Sequence, residues 1–271
     1  MNGYVEWAGG VAREAGALLL RYYERRVRVE YKAGKGDVDV VTEADRASEA
    51  FIIERLKARF PDHAIVAEEG GGRETASPYR WYIDPLDGTT NFAHSFPQFC
   101  VSMALEHEGR IVAGVVYDPT RDELFTAERG GGAFLNQRPI RVSAISALSE
   151  SLMATGFPSR KRHQNSNIHF YYQLTMTSHG VRRPGSAALD LCYVACGRLE
   201  SFWEFQLSPW DTAAGWLIAE EAGGRVTDML GKPYGLQSET IAASNSLIHG
   251  QLIEEFARVF RGEYRYPLPP V

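Results

Sequence analysis

Two aspartates three residues apart, Asp84 and Asp87, lie in the run Trp81-Tyr82-Ile83-Asp84-Pro85-Leu86-Asp87-Gly88-Thr89-Thr90-Asn91-Phe92. The apolar lead-in reads as the end of a buried strand with Asp84 at its tip. Pro85 fixes φ and lacks a backbone donor, so the strand ladder is expected to stop there. Gly88 lets the backbone approach a ligand, and Thr89 adds a hydroxyl. Two carboxylates in one tight turn repel each other unless a cation sits between them. The turn offers oxygen ligands and neither a thiolate nor an imidazole pair, so a hard cation suits it. Asp-Pro-x-Asp-Gly is also an ordinary solvated turn, and only partners elsewhere in the chain lift it above that.

Those partners need elements to carry them. Apolar residues at three- and four-residue steps predict a helix over residues 4–26, and Val27 to Tyr31 alternates as a short strand. A second helix is expected over 44–60, with Thr42 as its N-cap and Asp45 as the acid near its start. Ala64 to Ala67 reads as a buried strand ending in Glu68-Glu69, followed by a flexible loop at Gly70-Gly71-Gly72. Strands ending in carboxylates suit α/β folds, where ligands gather beyond the C-terminal ends of strands. Residues 98–142 read as an antiparallel meander with turns at Glu108-Gly109, Asp118-Pro119 and Gly130-Gly131-Gly132. Near residues 143–149 the pattern changes to alternating strand and helix, which divides the chain into 1–145 and 146–271. In the second part, helices are expected over 166–177, 187–196, 212–222 and 247–260. The strands there are 152–155, 181–183, 202–205, 225–228 and 240–244. Ser208-Pro209-Trp210-Asp211 opens one helix, with Pro and an acid placed as helix starts prefer. Glu68, Asp84, Asp87 and Asp211 thus form a set of carboxylates at strand ends and a helix start. Four acids suggest more than one divalent cation, an arrangement suited to displacement at phosphorus.

The chain has 271 residues, 44% of them hydrophobic, enough for a large core in one or two packed units. A net charge of −5 with no long basic run gives no nucleic-acid footprint. Three cysteines without metal-type spacing fit a reducing compartment. No apolar run spans a bilayer, and no signal-peptide pattern opens the chain, so the expectation is a cytoplasmic protein without a membrane partner. His94 follows the acidic turn as a loop residue at the cleft mouth, and no Gly-x-Ser-x-Gly elbow occurs.

Asp84 to Phe92 resembles the first signature of the inositol monophosphatase family, and Trp210-Asp211-Thr212-Ala213-Ala214-Gly215 through Gly224 resembles its second. Gly185-Ser186-Ala187-Ala188, Val41 to Asp45 and Ala67-Glu68-Glu69 match in the same order, so the resemblance covers about residues 5–260. It implies a layered αβαβα sandwich, Mg²⁺-dependent hydrolysis of phosphomonoesters with two or three ions per site, lithium sensitivity and a homodimer. It further implies metal ligation by Glu68, Asp84, Asp87 and Asp211 and by the carbonyl of Leu86. Asp45, Thr89 and Glu68 would orient or deprotonate water. Gly88 and Thr89 would hold phosphate, and Gly185, Ser186, Ala187 and Glu204 the alcohol. The family's loop lysine corresponds to Lys32 or Lys35. Inositol monophosphate leads as substrate, with fructose 1,6-bisphosphate, a nucleotide 3′-phosphate and histidinol phosphate as rivals. A regulatory binding protein without turnover is the alternative of another class.

Overall fold

The computed structural model describes residues 3–25, 29–31, 40–157 and 165–267. Lys32, Lys35 and the expected strand start at Val27 lie outside them. Helix α1 (Tyr4–Arg25) buries Ala8, Val11, Ala12, Ala15 and Leu19, the stripe its sequence period requires. Strands β1 (Val29–Tyr31) and β2 (Val40–Thr42) pair antiparallel. Helix α2 (Glu43–Arg59) starts with a capping box: Thr42 caps, and Asp45 accepts from the Thr42 backbone.

A seven-stranded sheet follows in chain order: β3 (Ala64–Ala67), β4 (Tyr79–Asp87), β5 (Cys100–His107), β6 (Arg110–Asp118), β7 (Glu123–Glu128), β8 (Gly132–Leu135) and β9 (Arg138–Pro139). All its pairs are antiparallel except β3–β4. A short helix α3 (Thr89–Ala93) lies between β4 and β5. The second sheet has five strands: β10 (Leu152–Thr155), β11 (Gly180–Arg182), β12 (Ser201–Phe205), β13 (Arg225–Thr227) and β14 (Thr240–Ser244), in the order β11-β10-β12-β14-β13. Helices α4 (Asn167–Thr177), α5 (Ala187–Ala195), α6 (Pro209–Glu221) and α7 (His249–Phe260) complete the fold.

These elements stack in five layers, the αβαβα sandwich expected from the sequence. Helices α1 and α2 cover one face of the first sheet, and α6 covers the other. Helix α5 packs on α6 and reaches the second sheet, whose far face carries α4 and α7. Side-chain alternation makes this possible. On β12, Phe202 joins the cluster shared with α5, while its neighbour Trp203 points into the outer cluster with Phe170 and Phe256.

Three local expectations are corrected. Pro85 does not end β4: pairing with β5 runs to Asp84–Ser102, skips Pro85 and Leu86 as a bulge, and resumes at Asp87–Cys100. The glycine run after Glu69 is not loose. The Glu49 carboxylate accepts from Glu69 N at 2.7 Å and Gly71 N at 2.9 Å, and Arg73 pairs back onto Ile65 through both backbone bonds. His94 is exposed after α3 and is not among the cleft-lining residues.

Candidate active site

The C-terminal end of β4, the turn after β3 and the N-terminal ends of α5 and α6 surround one cleft of about 640 Å³. Glu68, Asp84, Leu86, Asp87, Gly88, Thr89, Gly185, Ser186, Ala187, Glu204 and Asp211 all line it. Residues more than a hundred positions apart are thus gathered where an α/β sheet edge binds ligands. Asp45 is the exception. It is fully buried behind the wall and reaches the cleft through Thr89, whose hydroxyl lies 2.8 Å from Asp45 Oδ1. Asp45 Oδ2 meanwhile holds the Thr42 backbone and hydroxyl at 2.8 and 2.6 Å. The capping role and a role beside Thr89 therefore use different oxygens of one carboxylate.

The acidic turn is fixed from several sides. Asp84, 2% exposed, accepts from Leu86 N at 3.0 Å. Ser48 donates to Pro85 O at 2.9 Å, and the Thr89 hydroxyl is 3.0 Å from Leu86 O. Asp87 Oδ2 accepts from the Ser186 hydroxyl at 2.6 Å and from Ala188 N at 2.8 Å. Ser186 heads α5 but leaves the helix uncapped by its side chain; its hydroxyl proton is committed to Asp87, so toward a ligand the side chain is left as an acceptor only. Asp211 Oδ2 accepts from Ser208 N at 2.7 Å in a second capping box. Gly88 has φ +97°, and a Cβ there would come within 2.7 Å of Gln98 O. Only glycine fits that turn. Asn91 donates to Gln98 O and Pro184 O, both at 2.8 Å, clipping the acidic segment to the turn ahead of α5.

The electrostatics are those of crowded acids. Burial raises the Asp84 carboxyl well above its ordinary range, and the charges of Glu68, Asp87 and Asp211 raise it further. Asp211 is raised by burial, then by Glu68 and Asp87. Burial also raises Asp87, against the lowering effect of the Ser186 hydroxyl. Asp45 is pushed up to about 6 and Glu204 to about 8, in both cases chiefly by burial. Among the described residues, the cleft lining holds seven carboxylates, namely Glu68, Glu69, Asp84, Asp87, Asp190, Glu204 and Asp211, against one cation, Arg183. Among the described residues, no three acidic, histidine or cysteine side chains close on one point as a ready-made ligand group. The acids instead line the walls and repel across the cleft. An all-oxygen donor set with such surplus charge fits hard divalent cations, which prefer carboxylates and carbonyls.

Three neighbours of the site were not singled out from sequence. Asn91 lies inside the acidic motif, where its amide reads as one more turn residue. Asp190 hides among the apolar residues of α5. Gly156 leaves room for Glu204: a Cβ there would fall 2.1 Å from Glu204 Oε2.

A family model described as the inositol monophosphatase family matches residues 4–261. The chain is 46% identical over 256 residues to an inositol-1-monophosphatase of Synechocystis sp., covering 94% of this chain and 88% of that protein. It is 46% identical over 243 residues to the Nus factor SuhB of Pseudomonas aeruginosa, covering 87% and 89%. Among solved structures, an inositol monophosphatase from Anabaena matches with a TM-score of 0.85 at 43% identity, over 94% of this chain and 95% of that one. The extragenic suppressor protein suhB from Bartonella henselae matches at 0.87 and 42% identity, over 93% and 97%.

Proposed function

The chain belongs to the inositol monophosphatase family, and from that premise we propose that it is a Mg²⁺-dependent phosphomonoesterase acting on a small polyol phosphate, with myo-inositol monophosphate as the leading substrate. One observation carries the proposal: among the described residues, seven acids and a single arginine line a cleft of this family's fold. An anionic phosphate ester enters such a cleft only if cations outweigh the wall charge.

Glu68, Asp84, Asp87 and Asp211 would hold the ions through carboxylates, and Leu86 through its carbonyl. Bound Mg²⁺, two or three ions in this reading, supplies an acidified water and compensates charge on the leaving oxygen. Thr89 takes a proton from the attacking water at Oγ1 as its own proton passes to Asp45 Oδ1, 2.8 Å away. An Asp45 pKa of about 6 suits an acceptor working near neutrality. The backbone N–H groups of Gly88 and Thr89 would face phosphate oxygens. Glu204 and the Gly185–Ala187 backbone would face the alcohol. As in the sequence reading, a homodimer is the proposed assembly.

The test is phosphate release from inositol monophosphate, fructose 1,6-bisphosphate, a nucleotide 3′-phosphate and histidinol phosphate, with Mg²⁺ and with chelator. Fastest Mg²⁺-dependent release from the inositol ester is expected. Release that survives chelation, or that survives Asp84→Asn, would overturn the reading. A second reading follows from relatives named Nus factor SuhB at 44–46% identity: a factor role separate from turnover. Complementation of a strain lacking such a factor by Asp84→Asn as well as by the wild type would support it.

A further inference from the structure

The cleft lining also holds three charged side chains that act on one another: Asp190 on the first turn of α5, Glu204 on β12 and Arg183 just after β11. Asp190 is 1% exposed and lies between Leu189 and Leu191, both fully buried. Its Oδ1 is buried without a hydrogen-bond partner, yet the residue lines the cleft. Glu204 is 7% exposed, its carboxylate pressed against Gly156. Of the charges that act on Asp190, Glu204 and Asp87 repel its carboxylate and Arg183 attracts it. Arg183 attracts Glu204 as well. Neither carboxylate forms an ion pair or hydrogen bond with the guanidinium among the described residues.

A buried carboxylate with an unused acceptor costs a fold stability, and a leucine would serve α5 better. Such a group persists where a ligand completes it. We propose that Asp190 is a second recognition carboxylate for the alcohol portion of the substrate, acting with Glu204 and Arg183, and that it favours polyhydroxy alcohols over alcohols without a free hydroxyl. The inference rests on the phosphomonoesterase reading and narrows its substrate class. Hydroxyl groups donate to Asp190 Oδ1 and to Glu204, while Arg183 donates to hydroxyl oxygens. A polyol that satisfies the buried acceptor is favoured for the same reason that a site built for a hydroxyl rejects analogues lacking it.

The test compares wild type, Asp190→Leu and Asp190→Asn on three esters with Mg²⁺: myo-inositol monophosphate, phenyl phosphate (which has no free hydroxyl) and fructose 1,6-bisphosphate. In Asp190→Leu, the ratio of kcat/KM for the inositol ester to that for phenyl phosphate is expected to fall at least tenfold, mostly through KM. The Tm is expected to hold or rise. Asp190→Asn keeps an acceptor but loses the charge. It should recover much of the inositol ratio. Equal losses on all three esters, or a lowered Tm with unchanged ratios, would mean a structural role and overturn the inference alone. A wild type that releases phosphate from none of them would overturn the phosphatase reading and this inference with it.

Discussion

Thr89 has one hydroxyl proton and two acceptors within reach, Asp45 Oδ1 at 2.8 Å and Leu86 O at 3.0 Å. When Asp45 is ionised the proton points to it. When Asp45 is protonated, its own proton points to Thr89 and the hydroxyl turns to the carbonyl. The threonine thus relays the protonation of a carboxylate that the cleft does not touch. Thr89→Ala is expected to lower kcat by about 10²-fold with little change in KM, and Thr89→Ser to restore most of it. Asp84 makes a different case, because its neighbours oppose its charge. Asp84→Asn is expected to raise the Tm of the chelated protein and to abolish phosphate release. Relief of repulsion in a buried site and loss of function go together at such positions. Calorimetry and a phosphate assay on one preparation check both.

Helix α6 shows why some of the fold was legible and some was not. Its start was readable from Ser208-Pro209-Trp210-Asp211, and its apolar content from Ala213 to Ala219. Its placement was not. It packs on the first sheet, although it follows that sheet by some seventy residues, and nothing local encodes that distance. Small residues permit the approach: a Cβ on Gly215 would come within 2.6 Å of Leu191 Cβ on α5. Gly215→Ala is expected to cost about 1–3 kcal/mol in urea unfolding by overpacking. Gly10, in open space on α1, gives the contrast, and Gly10→Ala should gain about 0.5–1 kcal/mol. Strands β8 and β9 fall inside the meander expected over 98–142, but four and two residues leave no period from which to bound them. The bulge at Pro85 escaped it because a missing donor looks like a strand end when the chain resumes pairing two residues later. The acids of the site were legible because each abuts an apolar run. Asp190 was not, because it lies inside one.

The whole molecule carries its acids at a cost that pH and cations should expose. Asp45 and Glu204 have folded pKa values of about 6 and about 8, above their ordinary 3.8 and 4.5. The folded state therefore holds more protons in those windows, and stability falls as pH rises through them. His249, buried between Thr227 and Ser244, runs the other way. Burial lowers it from 6.5 to about 4, so the unfolded state holds the extra proton there and stability rises with pH. The two trends oppose each other below pH 6.5. From 6.5 to 8 Glu204 is the one of these three still titrating, and the cation-free protein is expected to lose stability, with a shallower decline in Glu204→Gln. Mg²⁺ should raise the Tm in proportion to the logarithm of its excess over Kd, and much less so in Asp84→Asn; thermal scans over pH and Mg²⁺ check all of this. Among the described residues no helix is long and apolar enough to cross a membrane. The Asn91 amide, which ties the acidic segment to the turn before α5, has a consequence for how such a chain diversifies. The end of the cleft that would handle phosphorus is stapled to two sheets at once and tolerates little drift. The alcohol side would draw on one side chain from each of α5, β12 and the turn after β11, so new tastes in alcohol could be acquired by single changes there without retooling the machinery that would break the ester.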